Sequence, residues 1–183
     1  MEIAMATSNP HKLEEANYVL KDFGVTLLAE DVKGPEIQDL DPVVVARSCL
    51  EAILPTFGGP LVVEDTALCV RALNGFPGAL ASHAFSTIGN RGIITLLEKA
   101  NDRSAYFDAA VAYGVPSGQI WVFTGRAYGS ISEEPRGEMG FGFDPIFIPE
   151  GHRKTFGEMT LDEKSKISHR ALAFRRLGSW VIR

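Results

Sequence analysis

Two long β-rich runs, residues 105–115 and 119–128, meet at Pro116-Ser117-Gly118, and no other stretch constrains the fold as strongly. Each run is rich in aromatic and β-branched residues, which suit a pleated surface, and the three turn formers between them predict an antiparallel hairpin. The first third of the chain reads differently. An apolar strand at Glu2–Ala6 is followed by a helical stripe, Leu13, Ala16, Leu20 and Phe23, and then by a second strand at 25–29. Asp41-Pro42 opens a helix with Val45, Cys49 and Ile53 on its apolar side, since Asp suits the cap and Pro the first helical position. Pro55 and Gly58-Gly59-Pro60 are expected to end it and lead into a short buried strand, Leu61-Val62-Val63, which runs straight into Glu64-Asp65-Thr66. Strand, helix and strand in this order favour α/β layering, and with the hairpin they predict a mixed sheet carrying helices on its faces. Residues 136–144 are glycine-rich and too irregular for either periodic template. Ser168 caps a last helix with Ala173, Leu177, Trp180 and Val181 on one side.

At 183 residues and 45% hydrophobic, the chain can bury a real core. Its formal net charge of −5 argues against a polynucleotide partner, which requires a basic face to displace counterions. A small anionic ligand held by local lysines remains compatible with that balance. No apolar run approaches the roughly 20 residues that span a bilayer, and the N-terminus lacks a signal-peptide layout, so the expected location is cytoplasmic. Cys49 and Cys69 stand in apolar contexts without a ligand pattern and read as buried free thiols.

Four places carry candidate chemistry. The turn Thr7-Ser8-Asn9-Pro10-His11-Lys12 lies between a buried strand and a helix, where unpaired N–H groups, the helix dipole and a lysine favour a phosphate. Asn9-Pro10 equally suits an ordinary helix cap. Glu64-Asp65-Thr66 emerges at a strand end, where ligands gather in open α/β sheets, and strand alternation sends the two carboxylates to opposite faces. Glu36, in a proline-stiffened turn, offers a second acid. Two carboxylates with phosphate oxygens and water would make a magnesium site, while the same acids could simply be solvated. Phe141 and Phe143, in Gly140-Phe141-Gly142-Phe143-Asp144-Pro145, offer faces on which a purine could stack, or aromatics packed into a turn. His169 and Arg170 fall in the first turn of a helix, against its dipole, which suggests positive charge aimed at an anion or carbonyl.

Together these segments resemble the inosine triphosphate pyrophosphatase family. Its T-x-N-x-x-K opening is met by Thr7, Asn9 and Lys12, and its acidic strand end by Val63-Glu64-Asp65-Thr66. Its following turn is met by Gly75-Phe76-Pro77-Gly78, its aromatic loop by Phe141-Gly142-Phe143-Asp144, and its C-terminal signature by Lys164 with Ser168-His169-Arg170. The resemblance implies one α/β domain over residues 1–183, a long curved mixed sheet with helices forming two lobes around a central cleft. It implies a hydrolase of nucleotide metabolism that converts ITP, dITP and XTP to monophosphate and pyrophosphate, as a cytoplasmic homodimer binding purine nucleoside triphosphate and no membrane or nucleic acid polymer.

By the same resemblance, residues Thr7, Ser8, Asn9, Pro10, His11 and Lys12 cradle the triphosphate and Thr66 touches phosphate. Glu36 and Asp65 hold magnesium, and Asp65 also orients or deprotonates the attacking water. Phe141 stacks on the base, Gly142, Phe143 and Asp144 shape its pocket, and Lys164, His169 and Arg170 read its edge. Where the family commonly offers a further Lys or Arg, this chain has Ala81-Ser82-His83, with His83 or Arg47 as substitutes. The competing readings are a related pyrophosphatase acting on modified pyrimidine nucleotides, which the His169-Arg170 pair argues against, and a non-catalytic nucleotide sensor.

Overall fold

The computed structural model describes residues 1–35 and 37–183. Seven strands form one mixed sheet: β1 (Glu2–Ala6), β2 (Thr26–Glu30), β3 (Leu61–Val70), β4 (Pro77–Gly78), β5 (Ser104–Gly114), β6 (Ile120–Ile131) and β7 (Phe147–Pro149). The helices are α1 (Pro10–Leu20), α2 (Pro42–Phe57), α3 (Ala81–Thr87), α4 (Gly89–Leu96), α5 (Leu161–Ser165) and α6 (His169–Val181). The spatial order is β2-β1-β3-β5-β6-β7, with β4 added to β3. β1 is parallel to both β2 and β3, whereas β3, β5, β6 and β7 run antiparallel in turn. The expected hairpin is therefore present as β5 and β6, and the expected mixed sheet with it. Among the described residues no helix is long and apolar enough to cross a membrane.

Two elements and the cysteines differ from the sequence expectation. α2 continues through Pro55 to a left-handed Gly58, because the missing N–H falls in the last turns, where the opposing Glu51 is exposed to water that can serve its carbonyl. β3 extends ten residues, beyond Thr66, because β5 pairs with it in unbroken register from Leu61↔Gly114 to Val70↔Ala105. Both cysteines are thiols outside any disulfide, as expected, but only half-buried.

The pleat determines what each strand residue meets. Val62 packs with Val111, Ala109 and Tyr113 beneath α1 and α6, through Ala16, Val19, Ala173, Phe174 and Leu177. Leu61 and Val63 lie on the opposite face under α2, against Leu50, Ile53 and Leu54. Further along the first face, Leu68, Val70 and Phe107 belong to a second core with Ile93 and Leu97 around α4, and with Phe147, Phe156 and Met159. Between Val62 in the first core and Leu68 in the second, the same face of β3 carries Glu64 and Thr66. The two cores are separated by a polar gap, and that gap is where the candidate residues converge. α6 reaches it because Gly125 of β6 has no side chain: a Cβ there would run into the His169 carbonyl and the Ala173 amide, so any larger residue would push α6 off the sheet.

Candidate active site

The edge of β3 is interrupted at the same place. β1 pairs with it as far as Val62, and β4 begins to pair only at Leu68. Among the described residues no strand covers that edge between them, so Glu64, Asp65 and Thr66 line a notch beside the end of β1. Lys12 enters it from the first turn of α1, with Nζ donating to the Glu64 carbonyl at 3.1 Å and lying 2.8 Å from the Glu64 carboxylate. The cap that aims Lys12 is made by Asn9, whose Oδ1 accepts from the amides of His11 and Lys12, while Thr7 Oγ1 accepts from the Asn9 amide. Ser8, Pro10 and His11 are exposed at the mouth.

Behind Lys12 lies a buried ionic cluster. Arg170, 2% exposed, donates from Nε to Glu64 at 3.2 Å, from Nη1 to Glu15 at 2.7 Å and from Nη2 to Thr66 at 3.1 Å. Thr66 in turn donates to Glu64. Lys164 donates at 2.6 Å to both Glu15 and Asp144, and Asp144 accepts from the Phe141 amide at 2.8 Å. Lys12, Lys164 and Arg170 thus face Glu15, Glu64 and Asp144, and the formal charges balance. Such a cluster survives desolvation only because each member is paired and hydrogen-bonded.

The surroundings tune the acids in opposite directions. Burial alone would raise Glu64, but the charges of Arg170 and Lys12 outweigh it and hold its carboxyl at about 2. Burial opposes ionisation of Glu15 too, yet Arg170 and Lys164 bring it below the ordinary value. At Asp144 burial prevails over Lys164, and the negative charge of Glu15 adds to it, so its carboxyl titrates above the usual range. Because the folded Glu64 value lies below the unfolded one near 4.5, its stabilisation is complete above pH 4.5 and is lost as pH falls towards 2. Between pH 5 and pH 3 this one group should remove roughly 2 kcal/mol of stability. Urea unfolding at the two pH values should show a smaller difference in Glu64→Gln than in the wild type, and equal differences would refute this account.

His169 opens α6 beside Arg170, with the Ser168 hydroxyl accepting from the Ala171 amide as the cap. Its ring stacks on Phe107 at 4.5 Å and 12°. Burial, followed by the nearby Arg170 and Lys164 charges, pushes its pKa well below the ordinary value, so the ring is neutral. Neither ring nitrogen, though buried, has a hydrogen-bond partner, a state that costs about 1–3 kcal/mol for each unmet group unless a ligand meets it. The two cations expected to oppose the helix dipole therefore reduce to one, Arg170, and the carboxylates answer its charge.

Phe141 lies at the mouth of the cluster. Arg170 is 5.1 Å and Lys164 Nζ 5.4 Å from its ring centre. Gly140, in a left-handed conformation, gives it room, since a Cβ there would strike the Asp144 carboxylate. Gly142 accepts from Asn90 at 3.2 Å, and Phe143 is turned into the second core, edge-on to Phe85.

Lys12, Thr66, Phe141, Asp144, Lys164, His169 and Arg170 are thus brought together. Asp65 sits on the opposite face of β3, the α2 side, half-buried. Glu36 lies outside the described residues. His83 is exposed on α3, and Arg47 is exposed on α2, bonded to Glu51 at 2.8 Å. Sequence reasoning does not single out Glu15, whose signal is charge balance: three cations converging on one buried place require a further carboxylate. Glu15 lies one turn after Lys12 and next to the apolar stripe residue Ala16.

Known proteins share this arrangement of elements. The profile of the Ham1 family matches residues 3–180. A protein of Pyrobaculum aerophilum named dITP/XTP pyrophosphatase is 46% identical over 99% of this chain and 96% of its own length. One of the same name from Methanopyrus kandleri is 45% identical over 98% and 96%. Among solved structures, a HAM1 protein from Coxiella burnetii superposes with a TM-score of 0.85 at 28% identity, over 99% of this chain and 98% of that one. The Staphylococcus aureus Ham1 protein gives 0.84 at 26%, with the same coverage. With the motifs, the sheet order and these full-length matches in agreement, the chain belongs to the Ham1 family.

Proposed function

We propose that this chain hydrolyses deaminated purine nucleoside triphosphates, ITP, dITP and XTP, to the monophosphate and pyrophosphate. The observation that carries the reading is His169: a buried, neutral imidazole with two unmet nitrogens, set beside cations and within the ionic cluster that reaches the phosphate-type turn of α1. The dITP/XTP pyrophosphatase names of the relatives point to the same chemistry.

In this reading the α1 N-terminus and Lys12 hold the triphosphate, Phe141 supplies the stacking face, and His169 with Arg170 meets the base edge. Arg170 has three of its five N–H groups engaged with Glu15, Glu64 and Thr66, so two remain for a carbonyl oxygen. Inosine and xanthosine present O6 to these donors, whereas adenosine presents an amino group. A buried donor facing a donor costs about 1–3 kcal/mol, on the order of 10- to 100-fold in preference. Asp65 orients or deprotonates the attacking water. It also suits magnesium as a half-buried hard-oxygen donor on a strand edge left open to phosphate, with Glu36 as the second carboxylate. When bound, the ion would neutralise charge on the phosphate oxygens. The proposed working unit is one two-lobed domain, as a cytoplasmic homodimer.

The test is to incubate the protein with ITP, dITP, XTP, ATP, GTP and dTTP, with and without magnesium, and to identify both products by chromatography. Magnesium-dependent IMP and XMP with pyrophosphate, and little product from ATP, is the expected result. Release of inorganic phosphate with a diphosphate would refute the proposed cleavage, and faster turnover of methylated pyrimidine triphosphates would refute the substrate.

A further inference from the structure

The phosphate turn and the aromatic loop touch each other through two rings. His11, exposed in the first turn of α1, stacks on Phe141 with ring centres 5.3 Å apart and planes 13° from parallel. The imidazole lies on the ring expected to receive the base, and it is itself a flat nitrogen heterocycle the size of a purine's five-membered half. A base needs about 3.4–3.5 Å between its plane and each ring it stacks on, so inserting it between the two would require roughly 7 Å, more than this stack provides. On that face of Phe141, a base and His11 are alternatives.

We propose that His11 is a built-in occupant of the base-stacking site, displaced by the nucleobase and thereby setting nucleotide affinity. The inference rests on the nucleotide reading above. His11 is suited to leave: its ring is solvent-exposed, and the bond that anchors the residue in the cap is made by its backbone N–H to Asn9, not by its ring. Phe141 need not move, since its amide is tied to Asp144. Displacing the imidazole costs every base the same stacking energy, so His11 acts on affinity without choosing among purines.

Two measurements test this, with IMP and XMP as the probes. In the free protein, the Phe141 ring current should shift the His11 ring protons upfield, and IMP should return them towards the position of an exposed histidine. By calorimetry, His11→Ala should bind IMP and XMP more tightly, each by the same factor of about two- to tenfold, which is the weight of one aromatic pair. His11→Phe retains a ring on Phe141 and should bind no more tightly than the wild type. Weaker or unchanged binding by His11→Ala, or His11 resonances that stay upfield while calorimetry shows IMP bound, would overturn the proposal. If the wild type bound no IMP and turned over no ITP, the nucleotide reading would fall and this inference with it.

Discussion

Asp65→Asn should turn over ITP at least about 100-fold more slowly than the wild type, the usual cost of removing a group that acts in the transition state. The amide keeps the shape of the side chain but loses its negative charge and its capacity to take a proton. The substitution leaves the cluster intact, because Asp65 lies on the α2 face of β3 whereas Lys12 and Arg170 meet Glu64 on the other, with Glu15 behind Arg170. Circular dichroism and the melting temperature should therefore stay close to wild type while turnover collapses. Near-normal turnover by this variant would remove Asp65 from the chemistry.

The largest effect on stability is expected from Arg170→Met. The guanidinium is held by two carboxylates and a hydroxyl in a place where its side chain is 2% exposed and that of Glu64 0%. Removing one partner of such a cluster leaves buried charge uncompensated, at about 3–5 kcal/mol. At about 2–4 °C per kcal/mol for a domain of this size, the melting temperature should fall by roughly 6–20 °C. Adding Glu64→Gln should recover part of the loss, since the amide carries no charge to strand. A drop of only a degree or two would mean that water reaches the cluster, and recovery would then fail as well.

Much of this architecture can be read from the sequence because local signals and tertiary context agree. Asn9-Pro10 starts α1, Asp41-Pro42 starts α2, and Ser168 caps α6, each with the side-chain bond its residue type favours. Pro116-Ser117-Gly118 turns the hairpin where the apolar runs say it must. Strand alternation alone separates Glu64 from Asp65, and it correctly implies that only one of them can join a given cluster.

The unread features come from tertiary terms. Glu64-Asp65-Thr66 looks like a strand's end because its polarity interrupts an apolar run, yet ladder bonds to β5 carry the strand on to Val70. α3 and α4 lack capping side chains at their starts, so the usual start signal is missing from residues 81–96. Glu15 is hidden for the opposite reason. A glutamate in a helix is ordinarily taken as solvated, and only the arrival of Lys164 and Arg170, 149 and 155 residues away in sequence, makes its burial favourable.

The notch in β3 has a consequence for how the molecule could change. Glu64 and Asp65 are consecutive residues of one extended strand, so the side proposed to sort bases and the side proposed to cut are joined by a single peptide unit rising about 3.3 Å. Covalent geometry keeps them in register. On the proposed reading, substitutions around His169 and Phe141 would retune which nucleotide is accepted while the bond to be broken stays the same, so the fold would offer inheritable changes of diet without a change of bite.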